Sequence, residues 1–184
     1  MHYDDILYID VDFLADKFEE KTGTAPRTLI SKSESMGAEA NALFLKSGLN
    51  SQITKQFSSS SQSMLNNLLD VLDKYKKHDP KLEPGVKPQN VWVVGSLTIG
   101  QWGDEKNSEK ALNVFFEVKC GEHSYSLLPK NEYFLAGIEA LQIVSPALQR
   151  YIQIPVRMLC KVLYPLPDIC TFVVTPYLIC ATDG

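Results

Sequence analysis

Three features of the chain predict an α+β fold, with an antiparallel sheet of about five or six strands and three or four helices. Strand-like apolar alternation dominates after residue 90. Two earlier stretches carry apolar residues at helical spacing. A hairpin around Gly121 pairs apolar with apolar residues in one register.

The 184 residues include 18 Lys plus Arg and 22 Asp plus Glu, for a net charge of −4. Apolar residues make up 45% and charged residues 22%, as in an ordinary globular domain. A basic nucleic-acid coat is disfavoured, because phosphate binding needs a positive surplus. Disorder is disfavoured by the apolar content. Four cysteines are too sparse for a disulfide-built miniprotein. Met1 to Asp5 carry no cationic leader, and the most apolar stretch, Ile152 to Ala181, is broken by Arg157, Lys161 and prolines. These features lead to the expectation of a cytoplasmic protein with reduced thiols and no membrane span.

Ile6 to Val11 reads as a strand. Asp12 is expected to cap a helix carrying Phe13, Leu14 and Phe18, with Gly23 as its stop. Thr28–Ile30 and Ala40–Leu45 suggest short strands around a polar ribbon that runs to the serines 58–61. Ser61 or Ser63 then caps a helix built on Met64, Leu65, Leu68, Leu69, Leu72 and Tyr75. Pro80, Pro84 and Pro88 interrupt helix in a lysine-rich connector. The expected layout is one domain over 1–184. Within it, an N-terminal strand-helix-ribbon-helix unit (1–77), a connector (78–90) and a C-terminal β-rich unit (91–184) can be distinguished.

Val91 to Ile99 and Ala111 to Cys120 read as strands. Gly121-Glu122 suits a two-residue turn, which pairs Cys120 with His123 and Val118 with Tyr125. Lys130 to Leu141 is expected to be helical, and Ser145-Pro146 to open a second short helix. Ile152 to Val162 places Val156, Met158, Cys160 and Val162 on one strand face, with Arg157 and Lys161 opposite. After a turn at Pro165–Asp168, Ile169 to Ala181 forms a last strand, where Pro176 implies an edge or bulge. Such an edge is compatible with a homo-oligomer.

No complete catalytic constellation appears. Asp10-Val11-Asp12 at a strand end has the spacing of paired-aspartate phosphatases, but Leu14 replaces the hydroxyl residue expected two positions on. Gly95-Ser96 has the opening of a nucleotidyltransferase signature without its later carboxylate pair. Cys120 and His123 are zinc-type ligands placed together, yet a structural site needs four. No cofactor fingerprint is present. Lys76, Lys77, Arg157 and Lys161 could meet phosphate, and Trp92, Trp102 and Tyr125 could stack bases, as in a five-stranded nucleic-acid-binding barrel.

At whole-chain level the sequence resembles a group of uncharacterised bacterial proteins that open with a Tyr-Leu-Asp strand-helix signature and continue with a polar ribbon. Tyr8-Ile9-Asp10, Gly37-Ala38-Glu39-Ala40, Ser58 to Ser61, Val94-Gly95-Ser96-Leu97 and Ile154 to Val162 carry the likeness. Ile9 departs from the expected Leu, and Cys160 from an expected Gly. The resemblance implies an accessory role in bacterial defence or mobile-element loci and transfers no catalytic residue. The leading expectation is a non-catalytic bacterial binding or accessory protein with a protein partner, contacted through residues 31–63 and 74–90. A metal-dependent phosphate-ester or nucleotide enzyme using Asp10 and Asp12 is one alternative. A single-stranded nucleic-acid-binding module is another, though the acidic balance argues against nucleic acid.

Overall fold

The computed structural model describes residues 6–24, 59–80, 87–102, 113–135, 137–143, 146–149 and 151–183. The expected strands at 28–30 and 40–45, and the ribbon up to residue 58, lie outside them. Described elements run in the order β1 (Ile6–Ile9), α1 (Val11–Thr22), α2 (Ser59–Leu72), β2 (Gln89–Trp102), β3 (Asn113–Cys120), β4 (His123–Leu127), β5 (Ile154–Leu166) and β6 (Thr171–Ala181). The chain divides into two compact units, Met1–Ile9 with Tyr75–Gly184, and Asp10–Lys74.

The second unit contains the two substantial helices. The cap of α1 is Asp10 rather than the expected Asp12. Asp10 has extended backbone, and its Oδ1 accepts the N–H groups of Asp12 and Phe13, both at 3.1 Å. Those two donors have no partner within the helix, so the carboxylate supplies one. Gly23 ends the helix at φ +69°, donating its N–H to the Glu19 carbonyl at 2.8 Å. α2 starts at Ser59, so Ser61 and Ser63 lie inside it rather than at its cap. Met64, Leu65, Leu68 and Leu72 recur at helical spacing and are buried. The helices pack together, and Lys21 of α1 reaches the Asp70 carboxylate of α2. That ammonium holds the Asp70 carboxyl below its usual range.

The first unit overturns the expected fold class. Its sheet curls into a barrel instead of staying open, and the described residues hold two substantial helices rather than three or four. β2 pairs antiparallel with β3 and β5, and β3 pairs antiparallel with β4. β4 then pairs parallel with β6, Ser124–Leu127 against Thr171–Val174. β6 returns antiparallel along β5 and closes the ring. β1 is the sixth strand, added antiparallel to Leu178–Cys180. This is a closed five-stranded Greek-key arrangement, the architecture of the OB-fold.

Buried side chains of all five strands form the core. They include Val93, Leu97 and Ile99 of β2, Phe116 and Val118 of β3, Tyr125 and Leu127 of β4, Met158 and Val162 of β5, and Phe172 and Val174 of β6. The turn at Gly121, φ +60°, sets the predicted pairs Cys120 with His123 and Val118 with Tyr125. Pro176 sits at a bulge. The register with β5 skips Tyr177 there, and β6 also changes its other neighbour from β4 to β1 around it. β6 therefore pairs with β5 on one side and with β4 and then β1 on the other.

Residues 130–141 are not the expected helix. They form 3₁₀ turns at Asn131–Tyr133 and Ile138–Ile143, separated by extended Phe134 and by Gly137 at φ +72°. Phe134 bridges Tyr8 of β1. Its ring lies 5.0 Å from the Tyr8 ring and 4.7 Å from the Phe116 ring. This aromatic packing plugs one end of the barrel and overrides local helix preference. The second short helix is a single turn, Pro146–Gln149.

Candidate functional site

The opposite end of the barrel gathers the side chains with most chemical potential. Cys120 pairs with His123 at the β3–β4 turn. The Ser124 N–H donates to the Cys170 carbonyl at 3.1 Å, which joins this turn to the β5–β6 connection. Gln89 faces Val162 and Asn90 faces Lys161, so the start of β2 reaches the same end. Residues 76–78 lie beside it. The His78 N–H donates to the Trp92 carbonyl and the Trp92 N–H donates to the Lys76 carbonyl, each at 2.8 Å. This short parallel addition covers the edge of β2 that extends past β3.

His78 turns its ring inward and is buried. Its Nδ1 is 2.8 Å from the Tyr125 hydroxyl oxygen. Its ring meets Phe172 edge-on, 4.9 Å between centres, and Phe172 stacks on Tyr125 at 5.2 Å. His123 lies 5.9 Å from Phe172 on the same enclosure, and its buried Nδ1 has no hydrogen-bond partner. Burial holds the His78 pKa below its ordinary value. Asp79 opposes that shift and His123 adds to it. Burial also pushes the Tyr125 hydroxyl upward, so it keeps its hydrogen.

Around this enclosure the rim is apolar and basic. Tyr164, Leu166 and Ile169 are exposed at the β5–β6 connection. Lys76, Lys77, Lys87 and Lys119 are exposed near the same end, and Lys161 is half-buried; among the described residues, Asp79, Glu122 and Asp168 are exposed acids there. Glu117 pairs with Lys119 at 3.2 Å and accepts the Thr98 hydroxyl at 3.2 Å.

The sequence candidates separate on this frame. Cys120 and His123 do come together. Among the described residues, no group of three or more His, Cys, Asp or Glu side chains is placed to hold a metal ion. Lys76 and Lys77 stand beside the β2 edge, and Lys161 faces outward from β5 opposite Asn90. Arg157 does not present its charge to a ligand in the expected way, because its guanidinium carbon lies 3.8 Å from the Trp92 ring centre. Trp92 and Tyr125 are buried, so neither offers a face to a base. Trp102 ends β2 at the other extremity of the strand, opposite Asn113. Asp10 is buried and engaged as a helix cap, and Asp12 sits in the first turn of α1.

Gly95 marks a close approach of strands rather than a phosphate loop. A Cβ there would lie 2.2 Å from the Lys119 carbonyl oxygen. Of the thiols, burial pushes Cys160 up strongly and Cys180 up to about 12, although Arg157 pulls Cys180 down. Sequence reasoning missed His78, whose setting of lysines and prolines points to an exposed connector. The available signal was Tyr125, an apolar-phase residue whose buried hydroxyl needs a partner.

The chain matches no family model, no curated protein and no solved structure.

Proposed function

We propose that this chain is a non-catalytic binding protein whose contact surface is the barrel end formed by the β5–β6 connection, the β3–β4 turn and residues 76–78. The observation that supports it is the exposure of Tyr164, Leu166 and Ile169 together at one tip. Large apolar groups clustered in solvent commonly mark an interaction surface, and nearby lysines give it a polar rim. Several groups that could do chemistry are occupied structurally. Asp10 caps α1, His78 faces Tyr125 and Glu117 binds Thr98 and Lys119. An accessory role in a bacterial defence or mobile-element setting belongs to the same proposal and rests on the sequence resemblance. A cytoplasmic location belongs to the same proposal and rests on the sparse cysteines of the sequence.

The test is partner capture with the intact protein and with the triple variant Tyr164→Ser, Leu166→Ser, Ile169→Ser. Loss of the partner with retained folding supports the reading. Equal capture by both proteins overturns it.

The Greek-key barrel, with Tyr164 exposed at the same end as Lys76 and Lys77, favours a second reading in which the ligand is single-stranded nucleic acid. Architecture alone assigns no ligand. A mobility shift of labelled oligonucleotide at low salt, weakened by Tyr164→Ala, supports this reading. No shift at low salt removes it, because phosphate contacts are strongest there.

A further inference from the structure

We propose that His78 is an acid-sensitive latch: its neutral ring pins residues 76–78 along β2, and a proton on that ring releases them. Two backbone hydrogen bonds, His78 N–H to Trp92 and Trp92 N–H to Lys76, join the segment to β2. The imidazole is a further anchor, inserted against Tyr125 and Phe172.

The enclosure suits a neutral ring and opposes an imidazolium. A neutral imidazole has one donor and one acceptor nitrogen, and a hydroxyl can serve either. The protonated ring donates at both nitrogens. Tyr125 would then have to accept, and its own hydrogen would have to turn away from His78. The groups around it are the Phe172 ring, the Cys120 and Cys160 thiols, and His123. His123 disfavours a positive charge on His78, and Asp79 on the connector opposes that effect. Burying the extra charge in this setting is therefore unfavourable.

The direction of the pH effect follows from linkage. Docked, His78 has a lowered pKa; undocked in water, it has its ordinary value of 6.5. The undocked state therefore binds more protons at mildly acid pH. Docking is fully favourable above about 6.5 and weakens as pH falls through and below that value. It stops weakening only below the docked pKa. From pH 7.5 to 5.5 the docking equilibrium falls by at most about tenfold, the limit set by one pH unit below the undocked value. Release uncovers the first half of β2, next to the lysines of the connector.

Hydrogen exchange of the full chain reads the latch directly, since the His78 and Trp92 amides are its two backbone fastenings. Protection factors, corrected for intrinsic exchange, should fall several-fold at these two amides between pH 7.5 and 5.5. The Val93 amide, within the β2–β5 pairing, should change less. His78→Gln, which cannot titrate in this range, should remove the extra pH dependence. Tyr125→Phe should lower protection at pH 7.5 and keep the pH dependence, because His78 is still present. Two results would overturn the proposal: equal pH response at Val93, His78 and Trp92, or an undiminished acid effect in His78→Gln. If His78→Gln fails to fold, the wild-type comparison of these amides decides alone.

Discussion

Replacing Gly95 with Ala should damage the barrel at the place where β2 begins to pair with β3. The new Cβ would lie 2.2 Å from the Lys119 carbonyl oxygen and 2.9 Å from its carbon. An ordinary carbon–oxygen contact is about 3.3 Å or more, so one strand must move by roughly 1 Å. Lys119 faces Ser96 in the first β2–β3 pair, and that shift disturbs the ladder there. Overpacking costs about 1–3 kcal/mol, and a weakened ladder bond adds about 1 kcal/mol. Lower entropy of the unfolded chain returns about 0.5–1 kcal/mol. The net expected loss is about 2 kcal/mol. Gly100→Ala is the control. Its Cβ would meet the Phe115 ring at 2.5 Å, and a half-buried ring can swing aside. That variant should lie within about 1 kcal/mol of wild type. Urea unfolding followed by tryptophan fluorescence suits the comparison, because both tryptophans, Trp92 and Trp102, are in β2. Equal stability of Gly95→Ala and wild type, or a larger loss in Gly100→Ala, would contradict a tight β2–β3 approach at Gly95.

Phe134→Ala should cost about 3–4 kcal/mol in the same assay, because it removes the ring packed between Tyr8 and Phe116. Asp10→Ala should cost about 1 kcal/mol and reduce helical circular dichroism, through loss of the α1 cap; Asp10→Asn should retain most of it. A thiol reagent at neutral pH should label exposed Cys170 first, while buried Cys160 and Cys180 react only on unfolding. Rapid labelling of Cys160 in the native protein would contradict its core position.

Short-range patterns were legible where one face of an element decides its phase. The alternation of Phe116 and Val118 with Glu117 and Lys119, together with Gly121, fixes the β3–β4 register. The apolar spacing from Met64 to Leu72 identifies α2, and Gly23 marks the end of α1. What local pattern does not carry is barrel closure. It depends on the parallel pairing of Ser124–Leu127 with Thr171–Val174, segments far apart in the chain. The region from Lys130 to Leu141 misled for a related reason, since contacts with Tyr8 and Phe116 hold Phe134 extended. At the candidate site, the hairpin brought Cys120 and His123 together as the spacing implies. The setting of Arg157 over Trp92, and of Tyr125 against His78, was not legible because these partners come from separate segments. His78 was hidden for the same reason, as its enclosure is built by β4 and β6.

The most direct test of the binding surface is site-specific photo-crosslinking from two positions, one at each end of the barrel. One probe replaces Tyr164 at the exposed tip. The other replaces Glu132, beside the Phe134 plug at the opposite end. A cross-linked partner or nucleic acid is expected from position 164 and none from 132. Cross-linking from 132 alone, or equally from both, would contradict the assignment of the β5–β6 tip as the contact surface.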